Sequence, residues 1–185
     1  MSAENIDLLA KMIVTDGHAA WADIYQKAMN EPGELIHGPQ YQKYDFGRYL
    51  DNVHSGGLID LFYCYAYHDG YIDMVDWRGE DEDGQIASFV ARRIGAYRPK
   101  SNLGVCLSEL EKLTQYDEET NQDFAAGDYV LQQFALVSDY LAPLGLVLGG
   151  INIGWDSYLI FVTTNENMAV LEAIDDHHFT IHGFD

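Results

Sequence analysis

The sequence predicts an α+β fold, with a small, mainly antiparallel sheet packed against several helices. Three observations carry that expectation. Most of the chain places apolar residues at helical spacing, the strand-like segments are short, and two of them flank a turn suited to a hairpin. A three-layer α/β arrangement is the alternative. The 185 residues fit one domain over residues 1–185, and a chain of that size buries roughly 70% of its unfolded surface. The 48% hydrophobic and 13% aromatic content is enough to fill such a core.

Ser2 can cap a helix over residues 3–15, with Ile6, Leu9, Ala10 and Ile13 on one face. Asp16-Gly17 interrupts it, and residues 18–30 resume with Ala20, Trp21, Ile24, Tyr25 and Ala28 at helical spacing. Pro32-Gly33 and Gly38-Pro39 mark a loop. Residues 41–54 admit two readings, with Tyr44, Tyr49 and Val53 pointing to a short helix. Residues 58–67 also fit two patterns. Tyr63, Tyr65 and Tyr67 alternate as in a strand, whereas Leu58, Ile59, Leu61, Phe62, Tyr65 and Ala66 form a helical stripe ending at Gly70. Helix is the preferred reading. Residues 71–77 read as a strand closed by Arg78-Gly79, and Glu80-Asp81-Glu82-Asp83 complements the dipole of a helix over 85–97. Arg92-Arg93, in the middle of that helix, is read as a local ion-pairing element.

Further along, residues 103–116 are expected to be helical. Asp128 caps a helix through Leu141 that is apolar enough to be mostly buried, and Pro143 and Gly145 end it. Leu146-Val147-Leu148, Ile151-Asn152-Ile153 and Tyr158 to Val162 read as strands, with Gly154 to Ser157 connecting the last two. Thr163 to Glu166 has capping-box spacing and opens a helix through Ile174, before a final strand near Phe179 to Ile181.

Charge narrows the function. Thirty acids against ten basic residues give a formal charge of −20. All ten basic residues lie within residues 1–112; residues 113–185 carry 12 acids and no Lys or Arg. That balance excludes a phosphate-backbone binder, which needs a basic face, and docking on an anionic membrane. The N-terminal residues lack the basic and apolar regions of a secretory signal, so a cytoplasmic location is expected. There Cys64 and Cys106 are read as reduced, buried thiols.

Catalytic and cofactor motifs are missing: no phosphate loop, nucleophile elbow, His-Glu-x-x-His or paired-cysteine zinc spacing occurs. The best metal candidate is Asp175-Asp176-His177-His178 with His182. An extended run would hold His178 and His182 about 13 Å apart, too far for one ion, so neither a metal site nor a cofactor is expected. The acidic concentrations are the stronger feature. Glu80, Asp81, Glu82 and Asp83, and then Asp117, Glu118, Glu119, Asp123 and Asp128, suit the steering of a cationic protein. Tyr97, Tyr116 and Tyr129 are candidate anchors beside them. Solubility alone is the competing account of the acidity.

Two passages carry a family resemblance. Tyr71-Ile72-Asp73-Met74-Val75-Asp76-Trp77-Arg78, and Ile153-Gly154-Trp155-Asp156-Ser157-Tyr158, resemble a bacterial family of unknown function. In that family an Asp-Trp-Lys strand end and an Asp-Ser-Tyr hairpin recur; Arg78 stands here in place of the lysine. The resemblance spans residues 58–175 and implies no catalytic residues. In size and charge, separately, the chain is similar to bacterial immunity proteins, which neutralise basic toxin or nuclease domains. The leading expectation is therefore a non-catalytic acidic binding protein for a basic protein partner. The alternatives are a small hydrolase or ligand-binding domain using Asp76, Trp77, Asp156 and His178, and an accessory subunit that assembles through an exposed apolar patch.

Overall fold

A computed structural model describes residues 3–50, 57–80, 82–115 and 128–184. The helices α1 (Ala3–Ile13), α2 (His18–Asn30), α3 (Pro32–His37), α4 (Gly47–Leu50) and α5 (Leu58–His68) precede strand β1 (Ile72–Asp76). Helices α6 (Gln85–Tyr97), α7 (Leu103–Thr114) and α8 (Asp128–Leu141) follow it. The chain ends in β2 (Leu146–Asn152), β3 (Ser157–Thr164), α9 (Asn165–Glu172) and β4 (Thr180–Gly183). Short 3₁₀ turns occupy Pro39–Tyr44 and Ala142–Leu144.

The strands form one sheet in the order β1-β3-β2-β4, antiparallel at every pairing. This is the α+β fold expected from the sequence. Both faces are covered, because side chains alternate across a strand. Ile72, Leu159, Phe161 and Ile151 face one core, shared with α1, α2 and α5. Val75, Ile160, Val162, Leu146 and Leu148 face a second core, shared with α6, α7 and α8. The layers therefore number three around an antiparallel sheet.

Residues 58–68 are helical, and Leu58 through Ala66 are all buried except Asp60. Burial on every side explains why their sequence fitted two periodicities at once. Gly70, at φ 75°, closes the helix as Tyr71 N–H donates to the Ala66 carbonyl.

Several boundaries differ from the sequence reading. Pro32 starts α3 instead of a loop, since its missing N–H costs nothing in the first turn. Helix α8 buries Val130, Phe134, Val137 and Leu141, while Leu131 and Leu136 are exposed on its outer side. Strand β2 runs unbroken through Gly149-Gly150 because neighbouring side chains occupy the space above both. The Phe161 ring covers Gly149, and a Cβ on Gly150 would lie 2.8 Å from His182 Nε2 and from Phe184.

Arg93 is the largest departure. It is 3% exposed and forms no ion pair among the described residues. Strand β3 runs beyond the start of β1, where Ile72 pairs with Phe161. Near that uncovered end, Arg93 Nη2 donates to the Ile13 carbonyl at 2.9 Å. Thr163 Oγ1 and Asn167 Nδ2 donate to the adjacent Met12 carbonyl at 2.7 and 3.1 Å. The guanidinium also lies 5.2 and 5.5 Å from the Tyr71 and Tyr97 ring centroids. Burial lowers its pKa from the ordinary value, opposed by Tyr97; arginine nonetheless stays charged.

Two stability outcomes follow. Arg93→Met should lower the unfolding free energy by about 1.5–3 kcal/mol, the value of a hydrogen bond to a charged group, whereas Arg92→Met on the exposed side should change it little. Gly149→Ala should cost about 1–3 kcal/mol through overpacking against Phe161, while Gly33→Ala, with open space around it, should stay within about 0.5 kcal/mol. Urea unfolding of the four variants checks both.

Candidate functional site

The register of β1 with β3 pairs Asp76 with Ser157. That pairing brings the two motif-bearing segments together at the hairpin end of the sheet, although 81 positions separate Asp76 from Ser157. A cavity of about 310 Å³ opens there, lined by Trp77, Trp155, Asp156, Ser157 and Tyr158 together with Asn152, His182 and Phe184. Gly150 lines it too, and contributes no side chain.

The walls are held from behind. Phe134 packs edge-on to Tyr158 at 5.4 Å and against Phe184 at 4.6 Å. Trp155 meets Tyr63 of α5 edge-on at 4.9 Å but remains 42% exposed. The Asn152 carboxamide accepts the Gly154 N–H at 2.9 Å, setting the bend that presents Trp155 and Asp156.

Among the described residues, Asp156 is the carboxylate lining this cavity, and no Lys or Arg lines it. Arg78 lies over the Trp77 ring, 5.2 Å from its centroid, and is exposed. Burial lowers the pKa of His182, with Glu172 opposing, so the imidazole favours its neutral form. An aromatic concavity with a carboxylate, and with no Lys or Arg among its described lining residues, suits a positively charged group.

Of the four residues assigned to a hydrolase or ligand pocket, Trp77 and Asp156 line this cavity and Asp76 and His178 do not. Asp76 Oδ1 accepts the Arg78 N–H at 2.8 Å, which shapes the turn after β1. His178 stands in the α9–β4 connection, and His182 takes the place at the cavity. Period-two alternation around β4 was the signal for His182. The Trp155 and Tyr158 contributions needed the β1–β3 pairing, which no local pattern reveals.

The acidic candidates divide. Glu80 turns inward, its carboxylate accepting Ile86 N–H at 2.6 Å and Gly84 N–H at 3.1 Å. It thereby supplies the acceptor that Gly84 lacks at the start of α6. Burial raises the Glu80 pKa despite those two amides. Glu82 and Asp83 are exposed. Asp81, Asp117, Glu118, Glu119 and Asp123 lie outside the described residues, as does Tyr116; Asp128 opens α8, and its side chain is also outside them. Tyr97 packs on Arg93, and Tyr129 donates its hydroxyl to the Arg78 carbonyl, so both serve the fold.

Both cysteines are buried and unpaired. Burial pushes the Cys64 thiol up to about 12, which removes it as a thiolate nucleophile at neutral pH. Elsewhere, Leu103 and Val105 are 45% and 49% exposed beside a shallow groove between α6 and α7. Among the described residues, no helix is long and apolar enough to cross a membrane.

Fold and cavity together define an antiparallel α+β protein with helices on both sheet faces and an aromatic, acidic concavity at the sheet's hairpin end. The chain belongs to the family described as Domain of unknown function (DUF6630), which matches residues 5–177. No curated protein and no solved structure matches the chain. The matched stretch extends beyond residues 58–175, and the family description assigns neither an immunity role nor a signature motif.

The inward role of Glu80 can be checked separately from any binding. Glu80→Ala should lower stability by about 1 kcal/mol, as for loss of a helix cap. The exposed pair Glu82→Ala and Asp83→Ala should stay within about 0.5 kcal/mol, read by thermal and urea unfolding.

Proposed function

We propose that this chain is a non-catalytic acidic binding protein that recognises a basic protein partner, with the cavity at the hairpin end of the sheet receiving one of the partner's cationic side chains. The observation that carries this reading is the cavity lining: Trp77, Trp155, Tyr158 and Phe184 around Asp156, with no Lys or Arg among the described residues of its walls. A Lys or Arg side chain entering it would meet aromatic faces and a carboxylate. Such cation–π contacts contribute about 0.5–2 kcal/mol, more when desolvated. The −20 charge of the whole chain supplies the long-range attraction.

The two scales divide the work. Field strength sets how fast a basic partner arrives, whereas buried aromatic anchors set how long it stays. An inhibitor or immunity role towards a basic toxin or nuclease domain is the sharpest form of this proposal. Its cytoplasmic setting belongs to the same proposal.

The test starts with capture from native lysate at low salt, elution on a salt gradient, and measurement of the captured protein's binding rates. Trp155→Ala and Asp156→Asn should each speed dissociation and weaken binding about tenfold or more, the equivalent of 1.4 kcal/mol. Glu82→Gln with Asp83→Asn should slow association at low salt and matter little once charges are screened beyond about 8 Å. Binding that ignores all four substitutions and the salt concentration sinks the proposal.

A further inference from the structure

We propose that Asp176, His177 and His178 form a surface site for one divalent transition-metal ion, independent of the cavity. The α9–β4 connection turns so that one ligand atom from each of the three side chains lies within 4.8 Å of the others. Sequence spacing weighed His178 against His182, which a strand holds apart. The turn instead assembles three consecutive residues, and His182 is not among them.

The donor set decides the class of ion. Two imidazole nitrogens and one carboxylate oxygen suit zinc, nickel, cobalt or copper, whereas calcium and magnesium prefer oxygen ligands alone. Metal–ligand bonds of about 2.0–2.2 Å put tetrahedral neighbours roughly 3.3 Å apart. The three atoms therefore have to close by no more than about 1.5 Å, within the reach of side-chain rotation on a turn where His177 is exposed and Asp176 and His178 are partly buried. The two imidazole rings already sit 4.0 Å apart, centroid to centroid. Water completes the coordination.

A second observation comes from another part of the fold. Asn5, on α1, donates from Nδ2 to Asp176 Oδ2 at 3.0 Å and reaches the Asp175 carbonyl at 3.4 Å. The His178 amide donates to Asp176 Oδ1 at 3.0 Å. The carboxylate is thus oriented by an outer partner, the arrangement that supports metal ligands generally. A bound ion would tie the approach to β4 more firmly to α1.

The test uses the full chain, stripped with a chelator and titrated with zinc by calorimetry in excess magnesium. Magnesium occupies the diffuse binding that a −20 chain offers any cation. One zinc per chain is expected, with the thermal midpoint rising as binding stabilises the native state. His177→Ala with His178→Ala should abolish both, His182→Ala should change neither, and Asn5→Ala should weaken zinc about tenfold. Circular dichroism confirms that each variant is folded. The proposal is overturned if zinc does not bind, if magnesium displaces it, or if the double histidine variant binds it like the parent.

Discussion

The fold depends on how the C-terminal end of α1 is satisfied. A helix leaves its last carbonyls without internal partners, and a buried end must find donors elsewhere. Here the donors come from three elements: Arg93 on α6, Thr163 on β3 and Asn167 on α9. α6 belongs to the layer on the opposite face of the sheet from α1. A positive charge at a helix C-terminus also complements the dipole. One side chain thus links two layers that the sheet otherwise separates, and the order of the strands permits it. Were β1 longer at its start, it would cover the end of β3 and Arg93 would have to reach around it.

The same β1–β3 register determines the other end of the sheet. Fixing Ile72 opposite Phe161 necessarily fixes Asp76 opposite Ser157, because a slip of one residue would move every side chain to the wrong core. Trp77 then leaves the strand beside Trp155 and Asp156. Core packing at one end and cavity geometry at the other are therefore set by a single constraint. The glycine pair in β2 extends it: Gly149 accommodates Phe161 on one face, and Gly150 accommodates His182 and Phe184 on the other. A side chain at either position would push the packing apart and alter the cavity wall.

Local chemistry was legible in the sequence wherever one element sufficed. The helices over 18–30, 85–97 and 128–141 matched their apolar periodicity. Helix α9 opens near the capping-box signal but one residue later, with Thr164 Oγ1 accepting the Asn167 N–H while Thr163 donates to the Met12 carbonyl. Non-local effects were not legible. Arg93 resembles a surface arginine in sequence, since nothing near it announces the carbonyl of Ile13, 80 positions away. Glu80 belonged to an acidic run, and only the loop's return shows that its carboxylate faces α6. For the cavity, the sequence supplied Trp77 and Asp156 but paired them with the wrong histidine. His178 precedes and His182 follows an apolar residue, Phe179 and Ile181 respectively, and the strand alone decides which one faces Phe184, 4.9 Å from its ring.

The acidity itself divides by structural use. Asp7 pairs with Lys11 and His18, Asp23 with Lys27 and Tyr41, and Asp69 with Lys43 and Tyr44. Asp16 accepts from Tyr71, Asp176 from Asn5, and Glu80 from the start of α6. These carboxylates have internal partners, and several hold separate helices together. Glu82, Asp83 and Asp156 differ: among the described residues their side chains make no hydrogen bond or ion pair. Unpartnered like charges lower folding stability through self-repulsion and contribute no compensating contact. Glu82 and Asp83, at the approach to α6, complement its dipole without a bonded partner, while Asp156 stands in an aromatic cavity with no partner among the described residues. Of the three, Asp156 alone therefore carries a charge that neither a bond nor a helix end in the described fold offsets.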